Sequence, residues 1–135
     1  MSRSLTRFFT MMVVSLLLYS CSNGEQKSAE DMAMDAALRC YEALYNNLPE
    51  VYLSERIGVD EMPSEYHQEL LEVYRQHVKE VNREHQGVKS VKASQATMDT
   101  TLNVMQVFLM LNYGDNTKEE IVVPMVECNG KWMLK

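Results

Sequence analysis

The sequence contains few of the residues that form covalent cross-links or metal centres. Its 135 residues include three cysteines, three histidines and one tryptophan. The cysteines beyond the N-terminal region show neither CxxC spacing nor an accompanying histidine, so we expect no metal site. An HExxH motif, a glycine-rich phosphate loop and a serine nucleophile elbow are also missing. The motifs therefore indicate no catalytic residue, no metal and no cofactor.

Basic residues are scarce after the first twenty positions. The whole chain has a formal charge of −6, and residues 21–135 contain 11 basic and 19 acidic residues, a formal charge of −8. No cluster of lysine and arginine is interleaved with aromatic residues. We therefore expect no nucleic-acid partner.

The first 20 residues have the pattern of a secretion signal. Arg3 and Arg7 precede an almost wholly apolar run, Phe8–Tyr19. This run is shorter than the roughly 20 residues that cross a bilayer and is typical of a signal-peptide core. An ordinary secretion signal and an uncleaved anchor are the alternatives.

The end of this run indicates how the chain is anchored. Leu18–Cys21 resembles the lipobox of bacterial lipoproteins, in which the cysteine receives a diacylglyceryl group after export. We predict a lipoprotein signal peptide at residues 1–20, and a lipidated Cys21 with a short tether at residues 21–28. The protein would then belong to the bacterial cell envelope, with its membrane partner bound through the lipid on Cys21.

The next part of the chain has helical spacing of apolar residues. We predict a helix from Ala29 to Asn47 with Ser28 as its N-cap, a short helical turn at Val51–Leu53, and a helix from Ser64 to His85. On the last helix, the predicted buried stripe consists of Tyr66, Leu70, Val73, His77 and Val81, and Tyr74 and Val78 broaden it.

Strand-forming residues dominate the last third of the sequence. The predicted strands are 88–98, 101–113, 117–128 and 131–135. The second strand, at thirteen residues, exceeds the usual length, so the sheet should bend. Pro124 predicts an edge or a bulge, and Asn129–Gly130 predicts a two-residue hairpin turn. Helices followed by an antiparallel meander predict a single α+β domain over residues 29–135.

Three short segments carry a resemblance to a known family. They are Tyr113–Asn116, Val123–Val126 and Asn129–Trp132, which follow two helices and a long strand. The chain from Ala29 to Lys135 resembles small lipoproteins of the Bacteroidetes that carry a domain of unknown function. That domain is placed in the cone-shaped superfamily of nuclear transport factor two, SnoaL and ketosteroid isomerase. The resemblance implies N-terminal helices packed in a strongly curved antiparallel sheet, a cystatin-like cone, but no particular activity.

Several side chains are candidates for a binding site in such a cone. The possible cavity-lining residues are Tyr41, Tyr45, Asn103, Gln106 and Trp132. Cys40 and Cys128 can form a disulfide in an oxidising compartment or stay as small buried residues. His77 is expected at a helix interface, whereas His67 and His85 are expected to be solvated.

Three functions are compatible with this sequence. The favoured hypothesis is a membrane-anchored lipoprotein with a small non-catalytic domain that binds a small molecule or a protein partner. The first alternative is an isomerase- or hydrolase-type enzyme that uses the cone cavity. The second is a structural module that forms a homodimer through the sheet, because both faces of the strand after Thr101 are apolar.

The lipid anchor is directly testable. Cells that express the chain and take up labelled palmitate should label the wild-type protein, and Cys21→Ala should remove that label because the acylated thiol is lost. Gel autoradiography measures the outcome. Equal labelling of the two proteins would contradict lipidation at Cys21.

Overall fold

Helices precede an antiparallel sheet in the computed structural model, which describes residues 26–135. The predictions for the signal peptide and Cys21 lie outside the described residues. The elements are α1 (Ala29–Tyr45), α2 (Pro49–Ser54), a 3-10 turn (Val59–Glu61), α3 (Ser64–His85), β1 (Val88–Asp99), β2 (Val104–Tyr113), β3 (Lys118–Cys128) and β4 (Lys131–Leu134). The predicted α+β class is confirmed.

Helix α1 begins at the predicted cap and buries a face of small side chains. The Ser28 hydroxyl oxygen accepts a hydrogen bond from the Asp31 backbone N–H at 3.1 Å, which satisfies one of the free donors of the first turn. The buried residues of α1 are Ala33, Ala36, Ala37, Cys40 and Leu44. Because most of these side chains are small, the backbone of α1 can lie close against the sheet.

The four strands form one sheet in the order β1-β2-β3-β4. Along β2, the side chains of Met105, Val107, Leu109 and Leu111 are buried, and they alternate with half-buried ones. The buried set packs with α1 in the main core, to which β3 and β4 add Val123, Met125, Trp132 and Leu134. We call the side of the sheet that packs on α1 the inner face and the opposite side the open face.

The start of β2 differs from the prediction. The thirteen-residue strand is wrong, because β2 begins at Val104 and has ten residues. The Asp99 carboxylate accepts hydrogen bonds from the backbone N–H groups of Thr101 and Leu102 at 3.0 and 3.1 Å, which closes a turn over these residues. Asn103 completes the turn in the left-handed region, at φ 53°.

The bends of the sheet lie in β1 instead. This strand has 12 residues, and its pairing with β2 shifts register between Val88 and Ser90 and again between Ala93 and Gln95. Each shift inserts an extra residue, and such bulges bend a strand and increase its twist. The predicted curvature therefore comes from irregular pairing rather than from strand length.

Helix α3 has the predicted bounds but buries only part of the predicted face. Its buried residues are Leu71, Val78 and Val81, so the prediction holds for Val78 and Val81. It is wrong for Val73, which is 59% exposed, and for the exposed His77. The reason is tertiary packing, since α3 contacts α1, α2 and β1.

The structure confirms the hairpin turn predicted at Asn129–Gly130 and the edge position predicted for Pro124. Asn129 and Gly130 have φ of 51° and 79°, the positive pair that a tight hairpin turn requires. Pro124 lies in β3, where it is paired with Gln106 of β2 on one side. On its other side, the pairing of β3 with β4 ends at Met125. The proline therefore occupies a local edge, where its missing N–H is tolerated.

A loop covers the outer edge of β4. The Leu134 N–H donates to the Glu55 carbonyl and the Ile57 N–H donates to the Leu134 carbonyl, both at 2.8 Å. The Lys131 ammonium lies 3.0 Å from the Glu55 carboxylate. The loop after α2 is thus held against the strand by backbone bonds and an ion pair.

The turn between β2 and β3 docks on the C-terminal end of α3. The Gly114 N–H donates to the Gly87 carbonyl at 2.9 Å, and the Asp115 N–H donates to the His85 carbonyl at 3.0 Å. A Cβ atom on Gly114 would lie 2.2 Å from the Gln86 backbone oxygen. This contact requires glycine for reasons of space rather than of backbone conformation.

Replacement of Gly114 by alanine should therefore lower the free energy of unfolding by about 3 kcal/mol, because the contact is with backbone that has little freedom to move. Gly58→Ala is the matched control, since Gly58 has φ +77° but open space around its Cβ position. That variant should cost only about 1 kcal/mol of backbone strain. Urea unfolding measures both values, and equal losses would contradict the steric account.

Candidate functional site

The structure separates the five residues that were predicted to line a cavity. Tyr41 and Tyr45 lie together on α1, with ring centroids 6.3 Å apart. Trp132 is buried on the inner face of β4. Gln106 lies on the open face of β2, and Asn103 lies in the turn before that strand. These five side chains therefore do not share one surface.

Tyr41 belongs to a chain of aromatic rings between the helices. Its ring meets Tyr52 edge-on at 5.4 Å, and Tyr52 meets Tyr74 edge-on at 5.0 Å. The Tyr52 hydroxyl donates to the Tyr41 hydroxyl at 3.4 Å, and the Arg56 guanidinium donates to the Tyr74 hydroxyl at 3.4 Å. The rings join α1, α2 and α3, and each hydroxyl has a hydrogen-bond partner: Tyr41 and Tyr52 bond to each other, and Tyr74 bonds to Arg56.

Tyr45 connects this chain to His77, whose predicted place at a helix interface matches the contact. The Tyr45 hydroxyl oxygen lies 3.1 Å from His77 Nε2, and the ring centroids are 5.9 Å apart. Burial, with smaller contributions from Tyr41 and Glu119, raises the pKa of Tyr45 to about 12. The hydroxyl therefore stays protonated at neutral pH and serves as a hydrogen-bonding group.

A second cluster joins α3 to the β2–β3 turn, and we call it the rim cluster: His85, Tyr113, Asp115, Thr117 and Glu119. The His85 ring stacks on Tyr113 at 4.1 Å, and its Nδ1 atom lies 3.1 Å from the Asp115 carboxylate. The Tyr113 hydroxyl donates to Glu119 at 2.5 Å. His85 is therefore packed and hydrogen-bonded on one side, and 35% of its side chain stays exposed to solvent.

The rim cluster is arranged to hold the turn rather than to transfer protons. Hydrogen bonds from the Thr117 hydroxyl and backbone N–H, with a smaller effect of His85, lower the pKa of Asp115 below its ordinary value of 3.8. Burial and the Glu119 carboxylate raise the pKa of Tyr113. A weakly basic carboxylate and a firmly protonated phenol are poor acid–base catalysts near neutral pH.

Cys40 and Cys128 are free in the structure. Cys40 is buried on α1, and burial raises the pKa of its thiol to about 11. The thiolate is the reactive form, so Cys40 is a poor nucleophile. Cys128 is half-buried at the end of β3.

The helical side of the structure has a groove of about 210 Å³ between α1, α2 and α3. Leu44, Pro49 and Val78 form its apolar part, and an ion pair of Glu50 with Arg75 at 2.5 Å lies beside them. Ligand pockets usually enclose about 300–1,000 Å³. This groove is therefore small for a drug-sized molecule.

The open face of the sheet carries a strip of apolar side chains, which we call the apolar strip: Phe108, Met110, Val122, Val126 and Met133. Phe108 is paired with Val122 across β2 and β3, and Val126 with Met133 across β3 and β4. Val122 is 50% exposed. Among residues 26–135, the helices pack on the opposite face, so this strip faces outward.

No group of three or more His, Cys, Asp or Glu side chains in residues 26–135 could hold a metal ion. No helix in this range is long and apolar enough to cross a bilayer.

Comparison with known proteins identifies the architecture. A crystal structure of a protein from Campylobacter jejuni, provisionally named an NTF2-like transpeptidase, superposes with a TM-score of 0.60. The two sequences are 14% identical, and the match covers 74% of this chain and 94% of the other. The fold is NTF2-like. No protein-family model and no curated protein matches the chain.

The NTF2-like architecture confirms the predicted cone of helices and curved sheet, and the likeness carries no activity with it. Sequence reasoning missed the rim cluster as a unit. The sequence held one signal for it. Alternation in β3 places the Glu119 side chain on the same face of the sheet as Ile121 and Val123, and on the opposite face from Val122. The stacking of His85 on Tyr113 had no signal in the sequence.

The lowered pKa of Asp115 gives a test of the rim cluster. A depressed carboxylate pKa contributes stability that is present above pH 3.8 and is lost as the pH falls through the folded value. Thr117→Val removes the hydroxyl, which has the largest effect on this pKa, and should move it upward toward 3.8. Carboxyl-carbon NMR titration measures the shift, and Thr97→Val serves as the control. An unchanged midpoint in Thr117→Val would refute this assignment.

Proposed function

We propose that the chain is a lipid-anchored protein of the bacterial cell envelope whose NTF2-like domain is a non-catalytic binding module. The lipobox pattern ending at Cys21 supports the anchor. The apolar strip supports the binding role, and protein is the partner that its shape fits best. An open sheet face offers area rather than an enclosed pocket, and protein partners are the ligands that cover such areas.

The single observation that carries the binding role is the exposure of Val122. This β-branched residue stands 50% exposed beside Phe108 in the middle of the sheet. An apolar strip with polar neighbours is typical of an interaction surface. Lys92 and Glu120 flank Met110 in the adjacent row, which gives the strip a polar border.

The second candidate function is dimerisation, in which the protein partner is another copy of the chain. A twofold interface needs a patch that is complementary to itself. The pairing of Phe108 with Val122 supplies apolar side chains that can meet their own copies without bringing like charges together. This role corresponds to a structural dimerisation module.

The enzyme alternative has weaker support. The polar groups nearest to a catalytic arrangement are His85, Asp115, Tyr113 and Glu119, and each is tied to another member of the rim cluster. In an isomerase or hydrolase, at least one of these side chains would have to leave its partner in the rim cluster and contact the substrate.

Site-specific photo-crosslinking tests the binding role. A photoreactive amino acid at Val122 in the full chain should give a crosslinked product in the envelope fraction. The same residue at Val73, which is 59% exposed on α3, should give none and is the matched control. A product of twice the chain mass would identify a second copy, and another mass would identify a different partner.

The outcome that overturns the proposal is equally clear. Absence of a product from position 122, or equal products from 122 and 73, would remove the apolar strip as an interaction surface. Phe108→Lys should also reduce the yield at position 122 at least several-fold, because a buried unpaired charge opposes association.

A further inference from the structure

One end of the open face carries concentrated positive charge in an otherwise acidic chain. A groove of about 370 Å³ lies beside the β2–β3 turn, and Lys89, Lys92 and Lys118 line it. These are three of the 11 basic residues in 21–135, and no residue that lines the groove is acidic. The local charge is therefore opposite to that of the chain as a whole.

The lysines lack carboxylate partners within the described residues. Lys27, Arg75 and Lys131 each lie within 4.0 Å of a carboxylate, whereas the three groove lysines take part in no ion pair there. Nearby acids have other partners: Asp115 accepts from Thr117, and Glu119 accepts from Tyr113.

Glu120 is an acid on the same face as the groove. It stands opposite Met110, in the same row as Lys92, and it is not among the groove-lining residues. The lining itself has three ammonium groups and no carboxylate, whereas Asp115 and Glu119 adjoin lining residues in the chain. An anion entering the groove would relieve the mutual repulsion of the ammonium groups.

The sheet irregularity assembles this groove. The register shift at the start of β1 leaves two residues, Lys89 and Ser90, opposite Asn112. Strict alternation would send these neighbours to opposite faces, but the bulge lets both line the groove. Lys118 completes the row, because it is paired with Asn112 on the other side.

Neutral hydrogen-bond donors accompany the charges. The Asn112 side-chain amide donates to the Ser90 hydroxyl oxygen at 3.1 Å. The Ser90 proton therefore remains available to an oxygen in the groove. An oxyanion would meet the three ammonium groups and the Ser90 hydroxyl.

We propose that this groove binds a phosphate group, through the ammonium groups of Lys89, Lys92 and Lys118 and the hydroxyl of Ser90. A phosphate monoester carries about −1.5 to −2 charges near pH 7, opposite in sign to the three ammonium groups that line the groove. Lysine binds phosphate as a point charge and needs no fixed planar geometry. The source is either soluble phosphate compounds or a phospholipid headgroup.

Calorimetric titration of the full chain in mild detergent tests this site with two probes, inorganic phosphate and dihexanoyl phosphatidic acid. Each single Lys→Gln change at 89, 92 or 118 should weaken phosphate binding about threefold, and the triple variant about 30-fold. Lys79→Gln, a lysine of the helical groove, is the matched control and should bind as the wild type does. Tighter binding of the phosphatidic acid assigns the headgroup, and equal or weaker binding assigns soluble phosphate.

Three outcomes would overturn the proposal: no heat with either probe, wild-type affinity in the triple variant, or equal binding of dihexanoyl phosphatidylcholine and phosphatidic acid. An unchanged unfolding temperature of the triple variant separates lost binding from lost folding, and Lys92→Gln alone gives a milder second test. The phosphate site does not require the protein contact at Val122, so either proposal can fail while the other stands.

Discussion

The contact between the small side chains of α1 and the inner face of the sheet is the constraint on which the structure depends. Ala33 and Ala37 are completely buried, and Cys40 nearly so. Where a helix presents methyl groups, the backbones approach closely, and burial of the larger side chains of β2 and β3 supplies the stabilisation. A twisted sheet stays in contact along a straight helix only if it curves, and the bulges of β1 provide that curvature. The helices therefore pack mainly on the inner face of the sheet.

Features set by local chemistry could be predicted from the sequence. The bounds of α3 follow from Pro63 and Gly87, and the Asn129–Gly130 turn follows from residues that tolerate positive φ. The order of helices and strands was enough to predict the α+β class. Features set by neighbours distant in the chain could not be predicted. The buried face of α3 depends on where α2 lies, and the β1 bulges leave no mark in composition or periodicity. The hydrogen bonds that Asp99 accepts, which extend the turn before β2 to Asn103, could be found only in the structure.

The same division applies to the site. The sequence identified Tyr41 and Tyr45 as candidates for a binding site, but it did not predict which side chains would contact them. Tyr41 and Tyr45 turn out to be structural links between helices, because their hydroxyls are hydrogen-bonded to other side chains. The surfaces left free to act are on the other side of the sheet, where an apolar strip adjoins a lysine-lined groove. These two adjacent surfaces, which differ in chemistry, are the ones that the proposed binding module would use to contact its partners.

The loop that covers β4 has a consequence for how copies of this chain can associate. Fibres that grow by strand addition need two open strand edges on every molecule, one to receive and one to offer. Backbone bonds from Glu55 and Ile57 to Leu134 occupy one of those edges. Growth by this route therefore stops at β4, whereas in the described residues β1 and the part of β3 before Met125 keep an unpaired edge. For proteins concentrated at a surface, such a stop limits crowding-driven aggregation while leaving face-to-face pairing open.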